Sequence, residues 1–415
     1  MKKIITVLAF CMILQNSYAF QTESNHSYIK NANLINDFEV NFAGYGDVKA
    51  FQFNFDGDKF NKMNADVSVD ISIENKTDDV NTYGLKTSIN FNSDFNREQN
   101  FGIFYKDFWG KIELGNMLSA AEQSRIGGNS IGIGSSSVFN NDFTRFFFNS
   151  LNDANLATYN TFLSSIGSTV VREGTLSSQS FGYVNGAFNL DEIDKSTYTP
   201  KINYFSPEYK GFQFFASYSP DNKVRQEDIG LGSATAPTLK DIIVGDVYSY
   251  GLSYINTFGN FGVAASVLQE KNMKGSSNKN NDIDIDIDSI IGGVNVNYFG
   301  FTLSASAGRL KRDPTKKGLA NTLVSGFGKL DNTYYNYGAT YEISNVAVNY
   351  NYFTSESKDT NKYTSNNVAV EYKLNKNASV YGEYVDFKLE DLKATATQKS
   401  VDGKAIFAGL LISFY

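Results

Sequence analysis

Met63-Asn64-Ala65-Asp66-Val67-Ser68-Val69-Asp70-Ile71-Ser72-Ile73-Glu74 alternates at every step between an apolar and a polar residue. Successive side chains of a strand point to opposite faces, so this stretch reads as a strand with one greasy face and one acidic, polar face. The same two-residue period recurs down the chain, with almost no helical periodicity between the repeats. So many greasy faces need a common apolar surface to meet, and lipid is that surface.

Working outward, Val40, Phe42, Gly44 and Val48 supply one face, with Asn41, Tyr45, Asp47 and Lys49 opposite. The parity then slips, since Phe51, Phe53 and Phe55 carry the greasy side, and a bulge near Ala50 is the expected cause. Tyr83, Leu85, Thr87, Ile89 and Phe91 continue the outward series, followed by Phe101, Ile103 and Tyr105, then Ile112 and Leu114. After Met117 the pattern stops, and it resumes at Ile202 and Tyr204. Further strands are read over 212–218, 247–256, 261–268, 290–298, 301–307, 335–341, 346–352, 368–374, 380–387 and 404–415. About sixteen segments result, most near the roughly 9–11 residues that a tilted strand needs to cross a bilayer.

Connections alternate in length. Asp107–Gly110, Pro207–Lys210, Thr257–Asn260, Phe299–Gly300 and Asn375–Asn377 are short, whereas Pro220–Asp246, Lys271–Asp288, Arg309–Asn332 and Leu389–Asp402 are long and polar. Short turns at one end and long loops at the other, with both termini on the same side, describe a transmembrane antiparallel β-barrel. In hydrocarbon every backbone N–H and C=O must be paired, so strands span only as a closed ring. Tyr248, Tyr250, Tyr254, Tyr298, Tyr341, Tyr350, Tyr352 and Tyr372 fall near strand ends, where aromatic girdles belong. The expected fold is therefore all-β: a barrel of about 16 strands with its long third loop folded into the lumen.

The ends and the composition are compatible with export. Lys2 and Lys3 precede an apolar run from Ile4 to Leu14, and Ser17-Tyr18-Ala19 makes a small-x-small cleavage site. The expected division is a signal peptide over 1–19, a periplasmic segment over 20–39 and the barrel over 40–415. Cys11 is the single cysteine and falls in the signal, so neither a disulfide framework nor a cysteine metal site is expected. Taking Lys2 and Lys3 from 37 basic residues leaves 35 against 44 acidic, a net charge of −9. An acidic chain without a basic helix is a poor nucleic-acid binder. The negative mean hydropathy of −0.30 is no objection, because alternate residues facing a wet lumen dilute the apolar signal.

Three stretches resemble the Gram-negative trimeric porin family. Phe95-Asn96-Arg97-Glu98 with Phe108-Trp109-Gly110-Lys111-Ile112-Glu113-Leu114-Gly115 resembles the segment and hairpin that precede the family's third loop. Thr199-Pro200-Lys201-Ile202-Asn203-Tyr204-Phe205-Ser206-Pro207, with Gly211-Phe212 and Ser217-Tyr218-Ser219-Pro220, is similar to the strand pair that re-enters the barrel, as in alphaproteobacterial porins. The ending Phe407–Tyr415, with its terminal aromatic Tyr415, resembles the signal read by the outer-membrane assembly machinery. Asn116 departs from the family, which usually has Arg there, and Ser413 departs from a position more often apolar. The resemblance implies a homotrimer in outer-membrane lipid, passing small hydrophilic solutes, and an inward-folded constriction loop at Leu118–Tyr198.

The candidate pore-lining and constriction residues follow from inward parity and from that loop: Lys49, Asp66, Asp70, Lys86, Lys106, Lys111, Glu113, Glu122, Asp142 and Asp153. Asp47 and Glu74 share the lumen face. Acidic groups outnumber basic ones in this set, so mild cation preference is expected. Neither cofactor nor metal is expected, although Asp282, Asp284, Asp286 and Asp288 place four carboxylates on one strand face. Lys311, Arg312, Lys316 and Lys317 form a basic patch beside the same long loops. Barrel enzymes need a histidine for nucleophile or water activation. The single histidine, His26, lies outside every predicted strand, so no enzyme is expected. The alternatives are a substrate-selective channel and a surface adhesin with binding loops.

Overall fold

The computed structural model describes residues 38–55, 58–76, 81–91, 97–127, 131–133, 200–223, 243–272, 283–316, 330–358, 361–391 and 400–414. Sixteen strands account for nearly all of them. The first five are β1 (Phe38–Phe55), β2 (Asp58–Lys76), β3 (Thr82–Phe91), β4 (Arg97–Asp107) and β5 (Gly110–Asn116). A short helix α1 (Ala120–Gln123) follows, then β6 (Pro200–Phe205), β7 (Phe212–Lys223), β8 (Ile243–Phe258) and β9 (Phe261–Asn272). β10 (Ile283–Tyr298), β11 (Phe301–Lys316), β12 (Leu330–Ile343) and β13 (Val346–Ser357) come next. β14 (Asn361–Asn375), β15 (Ala378–Asp391) and β16 (Ser400–Phe414) complete the set.

Each strand pairs antiparallel with the next, and β16 pairs with β1, so the sheet is a closed barrel with no edge. Closure satisfies the backbone of every described strand from its neighbours, as hydrocarbon demands. Met63 to Glu74 lies within β2. Its apolar side faces outward, with Met63 73% exposed and Val67 prominent, while Ser68 on the other side is buried. The same division holds around the wall: Phe101, Leu303, Tyr337 and Ile406 are exposed outward, and Asn295, Ser304, Asn349 and Asn351 are buried inward.

The parity slip at Ala50 has a different cause from the one expected. Pairing of β1 with β2 runs unbroken from Phe38↔Asn75 to Phe55↔Asp58, so β1 carries no bulge. Phe51 simply faces inward, where its ring centroid lies 5.5 Å from that of Phe407 on β16. Apolar character alone does not tell a lipid-facing aromatic from one packed on the inner wall. A register shift does occur elsewhere, in β14 between Lys373 and Asn375.

The end that holds the start of β1 and the end of β16 also holds the tight turns, including 108–109, 259–260, 299–300, 344–345 and 376–377. At Phe299 and Gly300 φ is 46° and 82°, the two positive values of a primed hairpin turn. The opposite end carries the long connections, yet two of its links, 56–57 and 358–360, are as short as turns. No helix among the described residues is long and apolar enough to cross a membrane.

Inside, large side chains lie across glycines of the neighbouring strand. Tyr381 covers Gly409, Phe387 covers Gly403 and Tyr334 covers Gly308, and a Cβ at Gly409 would sit 2.3 Å from the Tyr381 ring. Bare glycine backbone is thereby shielded by an aromatic from the next strand, a device that also pins register.

Candidate functional site

A wide lumen is selective only where something narrows it. The chain leaves β5 at Asn116, and the next described wall strand, β6, begins at Pro200. Its described part, residues 117–127 and 131–133, runs along the inner wall and is fastened there by side chains of successive strands. Ser119 begins the run by capping α1, its Oγ accepting from the Glu122 N–H at 3.1 Å. The Ala120 N–H donates to Ser217 Oγ on β7 at 2.6 Å, and the Ile126 N–H to Ser266 Oγ on β9 at 2.8 Å. Ser304 on β11 donates to the Gly127 carbonyl at 2.9 Å. Thr340 on β12 and Asn349 on β13 both donate to the Ile131 carbonyl, at 2.9 and 3.2 Å. Ile133 ends the described run against Ala347, Ala369 and Tyr381, on β13, β14 and β15.

Gly293 on β10 explains how the backbone lies so close. A Cβ at this position would stand 2.0 Å from the Ile126 carbonyl oxygen, so any other residue there collides with the segment. The inner faces of β7 to β13 thus offer hydroxyl and amide donors at the right heights, and a notch without a side chain between them.

Among the described residues, one ion cluster lies on the wall at β1–β2 and another at β3–β6. Lys49 is 1% exposed, with its Nζ 3.3 Å from Asp47 and 3.2 Å from Asp66. Tyr381 adds its hydroxyl to Asp47 at 3.0 Å. In the second cluster Glu113, also 1% exposed, accepts from Lys86 on β3 and from Lys111 two residues before it at 3.0 Å. The other oxygen of Glu113 accepts from Gln123 at 3.0 Å and from Asn203 on β6 at 3.3 Å. Gln123 and Asn203 also donate to the Leu118 carbonyl, at 2.8 Å each, so this carboxylate ties the root of the segment to three strands.

The structure therefore brings together Lys49 with Asp66, and Lys86 and Lys111 with Glu113. Asp70 lies on the inner face of β2 opposite Ser88 of β3. Lys106 stands exposed at the mouth nearest the tight turns, opposite Lys111. Glu122 pairs with Arg125 of its own segment at 3.1 Å. Asp142 and Asp153 lie outside the described residues. The aspartate run belongs to β10 from Ile283 onward, with Asp282 outside the described residues, and Asp288 meets Gln269 at 3.1 Å and Lys271 at 3.7 Å.

Sequence reasoning missed Tyr381, Gln123, Arg125, Gly293 and the fastening residues Ser217, Ser266, Ser304, Thr340 and Asn349. Their only signal is that small polar residues recur at inward positions, which marks a wet wall without showing what docks on it.

Comparison with known proteins agrees with this geometry. A family model for Gram-negative porins matches residues 19–392. Among solved structures, the anion-selective porin from Comamonas acidovorans covers 91% of this chain and 100% of its own, at 16% identity and a TM-score of 0.57. The outer membrane channel DcaP of Acinetobacter baumannii covers 91% and 98%, at 14% identity and a TM-score of 0.52. Salmonella typhi OmpF, in complex with daunomycin, covers 94% and 100%, at 14% identity and a TM-score of 0.51. Curated relatives are uncharacterised proteins of Rickettsia conorii, 29% identical over 140 residues or 34% of this chain, and Rickettsia typhi, 30% identical over 119 residues or 29%. Those matches span 27% and 23% of the relatives' own lengths. A closed ring of sixteen lipid-facing strands with a segment folded along its inner wall, matched along most of its length by the porin model, places this chain in the Gram-negative porin family and in the outer membrane.

Proposed function

We propose that this porin is a passive, water-filled channel for small hydrophilic solutes and ions, with a mild preference for cations. The observation that carries this reading is the seating of the wall's basic groups. Lys49 lies between Asp47 and Asp66, and Lys86 and Lys111 share Glu113, so these lysines add little net positive field. The remaining inward carboxylates, among them Asp70 and Glu74, then weight the lumen towards cations, as rings of fixed charge do. The fastened segment supplies the narrowing, held flat on the wall from β7 to β15. Assembly as a homotrimer, insertion through the outer-membrane machinery by way of Tyr415, and the signal, periplasmic and barrel divisions at 19 and 39 belong to the same proposal. One solved neighbour, OmpT of Vibrio cholerae, is described in a trimer form, at 15% identity and a TM-score of 0.52.

Single-channel recording in planar bilayers under a KCl gradient tests the reading. Large ohmic steps with a reversal potential on the potassium side support it. A reversal potential on the chloride side overturns the ionic preference. Block by a single sugar or amino acid favours a selective channel, and absence of conductance from folded protein favours an adhesin.

A further inference from the structure

We propose that an outward-facing patch on β11–β13, built from Arg309, Lys311 and Lys358 around Asp331, binds the phosphate of an anionic lipid headgroup in the outer leaflet. Residues on the lipid side of β11 read Phe301, Leu303, Ala305, Ala307 and then Arg309 and Lys311. Phe301 and Leu303 are exposed, Leu303 to 60%, so the face changes from greasy to cationic within a few residues. β12 likewise passes from the exposed rings of Tyr337 and Tyr335 to a charged residue, Asp331. Tyrosine belongs at headgroup depth, so the charges directly above it lie where lipid phosphates lie. The patch is at the end of the barrel with the long connections, which faces the exterior.

The cations are held in place. Arg309 donates through Nε and Nη2 to the two oxygens of Asp331, at 2.8 Å each. This fork uses two of a guanidinium's five N–H donors and fixes its plane. Lys311 stands opposite Asp331 in the β11–β12 register, and the Lys358 backbone N–H donates to the Asp331 carbonyl at 3.0 Å. Both lysines are exposed and act electrostatically on the Asp331 carboxylate. Nearby Asp288 on β10 is shared with Lys271 and Gln269. Glu356, exposed on the same face across Thr333 from Arg309, stands opposite Lys362 in the β13–β14 register. With Asp288 and Glu356 matched in this way, three cations around the Asp331 carboxylate leave a net positive site that faces away from the pore, and a lipid-borne phosphate is the anion that this face meets.

The full chain, folded into vesicles of phosphatidylcholine with or without diphosphoryl lipid A, tests the site by the lipid A retained per protein after detergent extraction. The unsubstituted protein is expected to retain it. The R309Q/K311Q/K358Q variant is expected to bind on the order of a hundredfold more weakly, and K311Q alone roughly fivefold. K388Q, which removes a rim cation on β15, is expected to leave retention unchanged. A heat-modifiable gel shift reports folding of each variant, and K311Q carries the test where the triple variant does not fold. Equal retention by K311Q and the unsubstituted protein overturns the proposal. So does displacement of lipid A by inorganic phosphate at matched concentration, which would mark a free-anion site, whereas equal retention of phosphatidylglycerol supports a site that reads the headgroup phosphate.

Discussion

Tyr381 on β15 lies across Gly409 of β16 and donates its hydroxyl hydrogen to Asp47 on β1, 3.0 Å from one carboxylate oxygen and 3.1 Å from the other. One side chain therefore spans the seam at which the last strand meets the first. The same ring belongs to the apolar cluster that holds Ile133, so the wall-lying segment and the closure of the barrel share a residue.

Tyr381→Phe keeps the ring over Gly409 and removes only the hydroxyl. Asp47 retains Lys49 but loses a buried donor, and such a loss to a charged acceptor is worth about 2 kcal/mol. Trp109, stacked between Tyr105 and Tyr204 at centroid distances of 6.0 and 6.4 Å, is the single tryptophan and a natural reporter of urea unfolding. A midpoint identical to that of the unsubstituted protein would show that the seam contact is idle.

Lys49→Met is expected to be more damaging. It leaves Asp47 and Asp66 facing each other with no cation between them, and breaking a buried pair from one side is worth roughly 3–5 kcal/mol. Adding Asp66→Asn to this variant is expected to recover part of the loss, since one of the two stranded charges is then gone. The double-mutant cycle checks this directly, and strict additivity of the two substitutions would contradict the cluster.

The barrel was legible because lipid on one side and water on the other impose two environments on alternate residues, and Met63 to Glu74 records both. The sides of Lys49, Asp66, Lys86 and Glu113 follow from the same parity. Phe51 was misread because an aromatic on the inner wall has the same hydropathy as one in lipid. The fastening roles of Ser266 and Ser304 were illegible for another reason. Those contacts join residues well over a hundred positions apart, and no local pattern encodes which inward serine meets which carbonyl.

Gly293→Val is expected to lower single-channel conductance. The new side chain occupies the place of the Ile126 carbonyl, so the segment must lift from the wall into the lumen. Its bonds to Ser266 and Ser304 then lengthen, and current noise rises as the strand-to-segment seam loosens. Gly293→Ala acts in the same direction with smaller amplitude. Unchanged conductance in a folded Gly293→Val protein would rule out this notch as the seat of the segment.

Leu303→Arg tests where the lipid band lies. β11 already carries Arg309 on the outward face, so arginine as such is compatible with this strand. Six residues nearer the tight-turn end the same side chain enters hydrocarbon, at about 2–4 kcal/mol. Lys311→Arg, above the band, is expected to change folding stability little. The comparison is read as folded fraction in lipid vesicles, and equal stability of the two variants would misplace the band.

Glu113→Gln addresses the pore charge. The carboxylate now offsets one of the two charges of Lys86 and Lys111, and its loss leaves both uncompensated on the wall of β3 and β5. The reversal potential in a KCl gradient is therefore expected to move towards chloride. The substitution also weakens the grip on Gln123 and Asn203, so a change in conductance by itself would not separate charge from geometry. Glu113→Gln combined with Lys86→Met separates them: one cation is withdrawn while the loosened root remains. If charge governs the selectivity, the reversal potential returns towards potassium in the double variant while any conductance change persists. If both variants share one reversal potential, geometry and not charge sets the preference, and the neutralised-lysine account of this pore is wrong.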